Sequence, residues 1–153
     1  MLSGRRVQRL PFTSACRRPY HGPVALSRDQ LTELGSQFLS SMNARDYALA
    51  AALYADDATY QSASLSGDHV DGRITGRDRI MDYFKDSLEG DDKFQLSALD
   101  IFTGFNLTMI LSSMEGRTFI DVLRIGDKGL IVEHIEASPK ASPVDFLEAR
   151  SKQ

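Results

Sequence analysis

The sequence is poor in the residues that usually mark a disulfide scaffold, a membrane span or a metal site. Cys16 is the single cysteine among 153 residues, so no disulfide can form within the chain. No stretch approaches the roughly 20 apolar residues that a membrane-spanning helix needs, and we expect no membrane span. The three histidines, His21, His69 and His134, show no ligand spacing, which argues against a metal site.

Motifs for cofactor binding and for covalent catalysis are missing as well. The chain has neither a glycine-rich phosphate-binding loop nor a serine nucleophile elbow. We therefore expect no cofactor. Apolar residues make up 42% of the chain, which is enough for one hydrophobic core in a domain of ordinary size.

Basic charge is concentrated at the N-terminus. Residues 1–28 contain six arginines and no acidic residue, whereas residues 29–153 carry the other 12 basic residues and all 21 acidic ones, a net charge of −9. Because affinity for nucleic acid comes mainly from neutralising phosphates, this acidic body predicts no nucleic-acid binding.

Residues 1–26 are predicted to be a separate basic leader. Their arginines, hydroxyl residues and lack of acids are typical of a mitochondrial presequence, and Arg18-Pro19-Tyr20 resembles a processing site. A wrongly assigned start codon and a disordered arm are the alternatives. A presequence would direct the protein to the mitochondrial matrix and its removal would take Cys16 away; otherwise we expect a cytoplasmic protein.

Helical periodicity dominates residues 27–53. Ser27 and Gln30 match a capping box at the start of a helix. The apolar residues that follow recur at three- and four-residue steps and form one helical face: Leu31, Leu34, Phe38 and Met42. Asp46 predicts the cap of a second, shorter helix.

A third helix is predicted after a connecting region. Residues 54–60 are interpreted as a turn leading to a short strand, and residues 62–75 as a loop. The helix begins at residues 75–78 and ends at 89–92, with apolar residues at four-residue spacing between those limits.

The period changes to alternation from residue 93 onward. Four strands are predicted, at about 93–103, 105–114, 117–126 and 129–137, with glycines between them as antiparallel hairpins require. Helices followed by a meander predict an α+β fold, a cone-like curved mixed or antiparallel sheet packed against three N-terminal helices. The domain is predicted to cover 27–138, with 139–153 as a C-terminal tail.

Four stretches resemble the nuclear transport factor two-like superfamily and its SnoaL-like domains: LSSMNARD at 39–46, LYADDATY at 53–60, GRDRI at 76–80 and DVLRIGDKGLIVEH at 121–134. The resemblance implies the cone fold, a pocket for a small hydrophobic molecule inside the curled sheet, and a homodimer. Members of the superfamily include isomerases, dehydratases, polyketide cyclases and proteins without catalytic activity, so fold alone does not select a function.

The last two predicted strands contain the most informative pair of residues. If Asp127 and Lys128 form a two-residue turn, Asp121 lies directly opposite His134, with Cβ atoms about 5 Å apart. A loop longer by two residues keeps both on one face, diagonally related. We predict His134 as the acid–base catalyst and Asp121 as its orienting group or an oxyanion donor. A buried pair that only satisfies itself is the alternative.

Four more residues are predicted to bind the substrate as pocket walls: Tyr54, Tyr60, Phe38 and Met109. Ketosteroid isomerases, one branch of the superfamily, use a first-helix tyrosine, an aspartate base and a late-strand aspartic acid. The resemblance aligns Phe38 with that tyrosine, Ser62 with the base and Asp121 with the late-strand acid. Steroid isomerisation by that mechanism is therefore not expected.

Two functions stay open at this point. The first is a cofactor-independent isomerase, lyase or cyclase that acts on a small hydrophobic oxygenated molecule. The second is a non-catalytic binding module that dimerises through the outer sheet face, where Thr118, Ile120 and Val122 alternate. An open cavity holding the polar pair favours the enzyme, whereas a cone filled by Phe38, Phe102 and Met109 favours the module.

Overall fold

The computed structural model describes residues 25–62, 65 and 72–137. They form three helices and six strands in the order α1 (Arg28–Ala44), α2 (Tyr47–Ala52), β1 (Tyr54–Ser62), β2 (Arg73–Thr75), α3 (Arg77–Leu88), β3 (Ser97–Gly104), β4 (Leu107–Met114), β5 (Arg117–Ile125) and β6 (Ile131–Ala137). None of these helices is long and apolar enough to cross a membrane. The predicted leader up to residue 24, the predicted tail from residue 138, and His69 lie outside the described residues.

The six strands form one sheet in the order β2-β1-β6-β5-β4-β3. The β1–β6 pair is parallel and the others are antiparallel, so the sheet is mixed. Helix α1 packs on β3 and β4, and α3 packs on β1 and β2. The predicted α+β fold, with three helices against a curved mixed sheet, is confirmed.

The predicted capping signals fix the first two helices. The Ser27 hydroxyl accepts a 3.2 Å hydrogen bond from the Gln30 amide, and the Gln30 side chain accepts one of 2.9 Å from the Ser27 amide. The helix ends at Arg45, whose φ of 55° is left-handed. The Asp46 carboxylate then caps α2 by accepting the Leu49 amide at 2.9 Å.

Two local predictions are wrong in the region between α2 and α3. Residues 54–60 are not a turn, because Tyr54, Ala58 and Tyr60 point into the core along one continuous strand. The exposed acidic residues that suggested a turn lie where the pairing with β6 is irregular, and the irregularity accommodates them within the strand. Residues 73–75, predicted as loop, form β2 beside the end of β1.

The last hairpin also differs from its predicted form. Five residues, 126–130, join β5 to β6 instead of two, because a backbone hydrogen bond closes the longer loop and a bulge adjoins it. Asp121 therefore lies opposite Glu136, and His134 lies opposite Leu123. The direct pairing of Asp121 with His134 is wrong, whereas the diagonal arrangement on one face is what the structure has.

Helix α1 lies unusually close to the sheet at Gly35. A Cβ atom at this position would be 2.9 Å from the Thr108 Cγ2 atom. The Thr108 hydroxyl donates a 2.9 Å hydrogen bond to the Leu31 carbonyl one turn earlier, which fixes that methyl group in place. This contact sets the height of α1 above β4 and hence the position of Phe38, one turn later.

Replacing Gly35 with alanine is expected to lower the free energy of unfolding by about 1–3 kcal/mol through overpacking. Helix propensity alone would change it by about 1 kcal/mol in the opposite direction. Thr108→Ser removes the methyl group but keeps the hydroxyl, so Gly35→Ala is expected to be neutral or stabilising in that background. Urea unfolding of the wild type, the two single variants and the double variant measures the effect of Gly35→Ala in both backgrounds. A Gly35→Ala single variant as stable as the wild type would contradict the close contact.

Candidate functional site

A cavity of about 290 Å³ opens between α1, α3 and the inner face of the sheet. A cavity of this size suits a small ligand. The apolar part of its wall is Phe38, Met42, Tyr60, Tyr83, Phe84, Leu88, Phe94, Leu96, Met114 and Phe119; the polar part is Ser87, Asp91, Arg117, Asp121, His134 and Glu136.

Three side chains from different strands form a hydrogen-bonded chain at the buried end of this cavity. His134 Nε2 lies 2.8 Å from Asp121 Oδ1, and His134 Nδ1 lies 2.7 Å from the Tyr54 hydroxyl. His134 and Tyr54 are each 1% exposed, and Asp121 is 5% exposed. The diagonal cross-strand geometry thus brings the predicted acid and imidazole together, and Tyr54 from β1 completes the chain.

Aromatic rings enclose the His134 imidazole. The ring centroids of Tyr60, Phe38 and Phe84 lie 4.9, 5.2 and 6.0 Å from that of His134. Tyr60 and Phe38 stand edge-on to the imidazole. Because this shell excludes water, the two ring nitrogens depend on protein partners for their hydrogen bonds.

The partners of His134 define which nitrogen carries the proton. Burial raises the pKa of Tyr54 well above 10.0, and the negative charges of Asp121 and Glu136 raise it further, so the phenol keeps its proton. Because the buried Tyr54 hydroxyl has no other acceptor among the described residues, its proton is assigned to the bond with Nδ1, and the Nε2–H is assigned to the bond with Asp121. Both nitrogens are then committed within the protein, and the imidazole has none to offer a ligand.

Asp121, unlike His134, keeps one polar atom that bonds to none of the described residues. Its Oδ1 accepts from His134, while its Oδ2 bonds to none of the described residues and is not enclosed by them. Asp121 also belongs to the cavity wall. The carboxylate is therefore held by one oxygen and presents the other to whatever occupies the cavity.

Glu136 is a second acidic residue in the wall, and the sequence reasoning missed it. It accepts hydrogen bonds from the Tyr60 hydroxyl at 2.9 Å and the Ser62 hydroxyl at 3.2 Å. Burial, followed by the charge of Glu136, raises the pKa of Tyr60, so this phenol also stays protonated. The available signal was alternation, since Glu136 follows His134 by two residues and shares its face.

The predicted wall residues divide into three groups. Phe38 and Tyr60 line the cavity, whereas Tyr54 lies behind His134 and reaches the cavity only through it. Met109 is on the other face of β4, because its neighbours Thr108 and Ile110 are the buried ones. The prediction that Met109 lines the pocket is therefore wrong.

Phe102 is also outside the cavity, 46% exposed, and paired with Met109 across β3 and β4. The inner space is consequently open rather than filled by these side chains. Within residues 25–62, 65 and 72–137, no group of three or more His, Cys, Asp or Glu side chains could hold a metal ion.

Residues 36–134 match the family model of the SnoaL-like domain, which is well over half of the chain. No curated protein sequence shows a significant match. Among solved structures, a SnoaL-like protein of unknown function from Burkholderia thailandensis has a TM-score of 0.69 at 16% identity, over 74% of this chain and 98% of that one.

Two further solved structures carry provisional functional names. One is described as a ketosteroid isomerase from Kribbella flavida, with a TM-score of 0.57, 20% identity, and coverage of 74% of this chain and 80% of that one. The other is described as a SnoaL-like polyketide cyclase from Shewanella denitrificans, with a TM-score of 0.62, 14% identity, and coverage of 80% and 99%. At these identities the likeness establishes the fold.

Replacing Tyr54 with phenylalanine is expected to cost about 1–3 kcal/mol of unfolding free energy at neutral pH, because His134 Nδ1 is left buried without a donor. The wild type is expected to lose stability as pH rises above 10.0, since the unfolded tyrosine ionises there while the folded one, with its raised pKa, does not. The variant should therefore lose less stability than wild type over that alkaline range.

Chemical denaturation at several pH values tests both parts. Tyr47→Phe is the matched control, because Tyr47 is half-buried on α2 and makes no hydrogen bond through its hydroxyl with described residues. Its effect should stay within about 0.5 kcal/mol. Equal losses for the two variants at neutral pH would contradict the Tyr54–His134 hydrogen bond.

Proposed function

The chain belongs to the SnoaL-like domain family, and on that premise we propose that it is a cofactor-independent acid–base enzyme. Its substrate is a small, mostly apolar molecule with a carbonyl or hydroxyl group, and its reaction is an isomerisation, dehydration or cyclisation. One observation carries the proposal, namely the Asp121 carboxylate that is anchored through Oδ1 and open to an apolar cavity through Oδ2.

In this proposal Asp121 is the base and His134 is its positioning residue, the reverse of the roles expected from sequence. The carbon–hydrogen bond beside the substrate carbonyl breaks, its proton moves to Asp121 Oδ2, and its electron pair forms an enolate. His134 holds Oδ1 throughout, so the carboxylate keeps one orientation. Where a carbon–carbon double bond adjoins that carbon, the enolate is conjugated, and returning the proton to the far carbon completes an isomerisation without any other reactant.

Glu136 provides a second group that can carry a proton. It lies directly opposite Asp121 on the neighbouring strand and belongs to the same cavity wall. Two carboxyl groups in different hydrogen-bonding environments can divide the roles of base and acid.

The outer face of the sheet supports a second part of the proposal, a homodimer. Four apolar side chains lie in register across β3 to β6: Phe102, Met109, Val122 and Ile135. Phe102 is 46% exposed and Ile135 is 37% exposed. A continuous apolar row of this kind on a surface is typical of a protein–protein contact. We therefore place the dimer contact on this face.

The Asp121→Asn variant is expected to lose about 10²- to 10⁴-fold in the rate of proton abstraction. The amide still accepts the His134 hydrogen bond, so the fold is retained. The rate can be followed without knowing the product, by NMR detection of deuterium incorporation from D2O into a panel of small aryl ketones. Asp127→Asn, in the β5–β6 loop, is the matched control and should exchange at the wild-type rate.

Two results would count against the enzyme. One is wild-type exchange in Asp121→Asn, which would remove Asp121 from the reaction. The other is the absence of exchange in the wild type across the panel, which would favour the non-catalytic binding module.

The Val122→Lys variant is expected to be a monomer where the wild type is a dimer, because it introduces a charge in the middle of the apolar row. Size-exclusion chromatography with light scattering measures this directly. Leu49→Lys is the control, since Leu49 is 48% exposed on α2, away from the sheet. A wild-type monomer, or a Val122→Lys dimer, would contradict the proposed contact.

A further inference from the structure

The cavity has a buried end and an exposed end that differ in charge. Its buried end holds the carboxyl groups of Asp121 and Glu136, while Ser87, Asp91 and Arg117 form the exposed end, which we call the mouth. Arg117 is the one arginine or lysine in the described cavity wall. A ligand entering this space therefore meets the Arg117 cation and the Asp91 carboxylate at the mouth, and two carboxyl groups without a cation at the base.

Arg117 and Asp121 lie on one line through the cavity. Arg117, Phe119 and Asp121 alternate along β5, and all three belong to the wall. Four residues of strand separate the Cα atoms of Arg117 and Asp121 by about 13 Å. Phe119 between them, together with the other apolar side chains of the wall, provides an apolar passage from one end to the other.

Within the described residues, Arg117 makes no ion pair. By contrast, Arg77 pairs with Asp56, and Arg124 pairs with Glu133. Asp91, the acidic residue at the mouth, has its Oδ1 bonded to the Lys93 amide at 3.2 Å. The Arg117 guanidinium thus has its donors available to an incoming group in a body whose net charge is strongly negative.

We propose that the substrate is a carboxylate-bearing molecule whose anionic group binds Arg117 at the mouth while its apolar body reaches inward to Asp121. This inference rests on the proposed function, which places the reacting carbon at Asp121. A carboxylate suits the planar fork of a guanidinium. The carboxyl groups at the base repel the same anion, so the charge pattern admits one orientation and directs the neutral, reactive end inward.

Three probes of equal length test the charge of the ligand: 4-phenylbutanoate, its neutral amide 4-phenylbutanamide, and 4-phenylbutylamine. Binding is measured by ligand-observed NMR and calorimetry, which need no turnover. The wild type is expected to bind the anion about tenfold more tightly than the amide. The preference should shrink at high salt, because Arg117 is exposed.

Arg117→Gln is expected to abolish the preference for the anion while leaving the affinity for the amide unchanged, and Arg117→Lys should keep part of it. Arg124→Gln, on the outer face, is the matched control and should behave as wild type. Asp121→Asn should retain anion binding even if it abolishes exchange, so a failure of the proposed chemistry is distinguishable from a failure of this inference.

Several outcomes would overturn the inference. They are equal binding of anion and amide by the wild type, tighter binding of the amine, an unchanged anion preference in Arg117→Gln, or no binding of the anion at millimolar concentration. Tighter binding of the amine would indicate instead a cationic ligand held by the aromatic wall and the carboxyl groups at the base.

Discussion

The hydrogen bond between His134 and Asp121 depends on how β5 pairs with β6, and the rest of the site depends on that bond. The imidazole is enclosed by aromatic rings, so a ring nitrogen without a protein partner would lower the free energy of unfolding by about 1–3 kcal/mol. Tyr54 from β1 satisfies one nitrogen and Asp121 from β5 satisfies the other. The three central strands are thereby held in one register by side chains as well as by backbone.

This arrangement separates structural from chemical roles within one polar cluster. His134 uses one ring nitrogen to bond Tyr54 and the other to bond Asp121. The two residues therefore form a rigid support for the Asp121 carboxylate. The hydroxyls of Tyr60 and Ser62 support Glu136 in the same way, because both donate hydrogen bonds to its carboxylate. The cluster therefore holds two carboxyl groups in the cavity wall through hydrogen bonds from buried side chains, and the low dielectric there strengthens those bonds.

The sequence predicts those features that depend on period and on caps. The shared face of Asp121 and His134 was predictable although the loop length was wrong, because a shift of two residues preserves the face of a strand. The same shift concealed Glu136, the direct partner of Asp121. The prediction for Met109 was wrong because β4 buries the polar Thr108 and leaves Met109 on the outer face. Hydrophobicity alone therefore assigned the residues of β4 to the wrong faces of the sheet.

The position of β6 has a consequence for how the protein is made. It is the last strand along the described chain, yet it lies in the middle of the sheet between β1 and β5. Tyr54 and His134 are 80 residues apart in sequence. A nascent chain without β6 presents two unpaired strand edges, which are surfaces prone to aggregation. Completion of the sheet and assembly of the polar cluster therefore coincide, and both wait for the synthesis of β6.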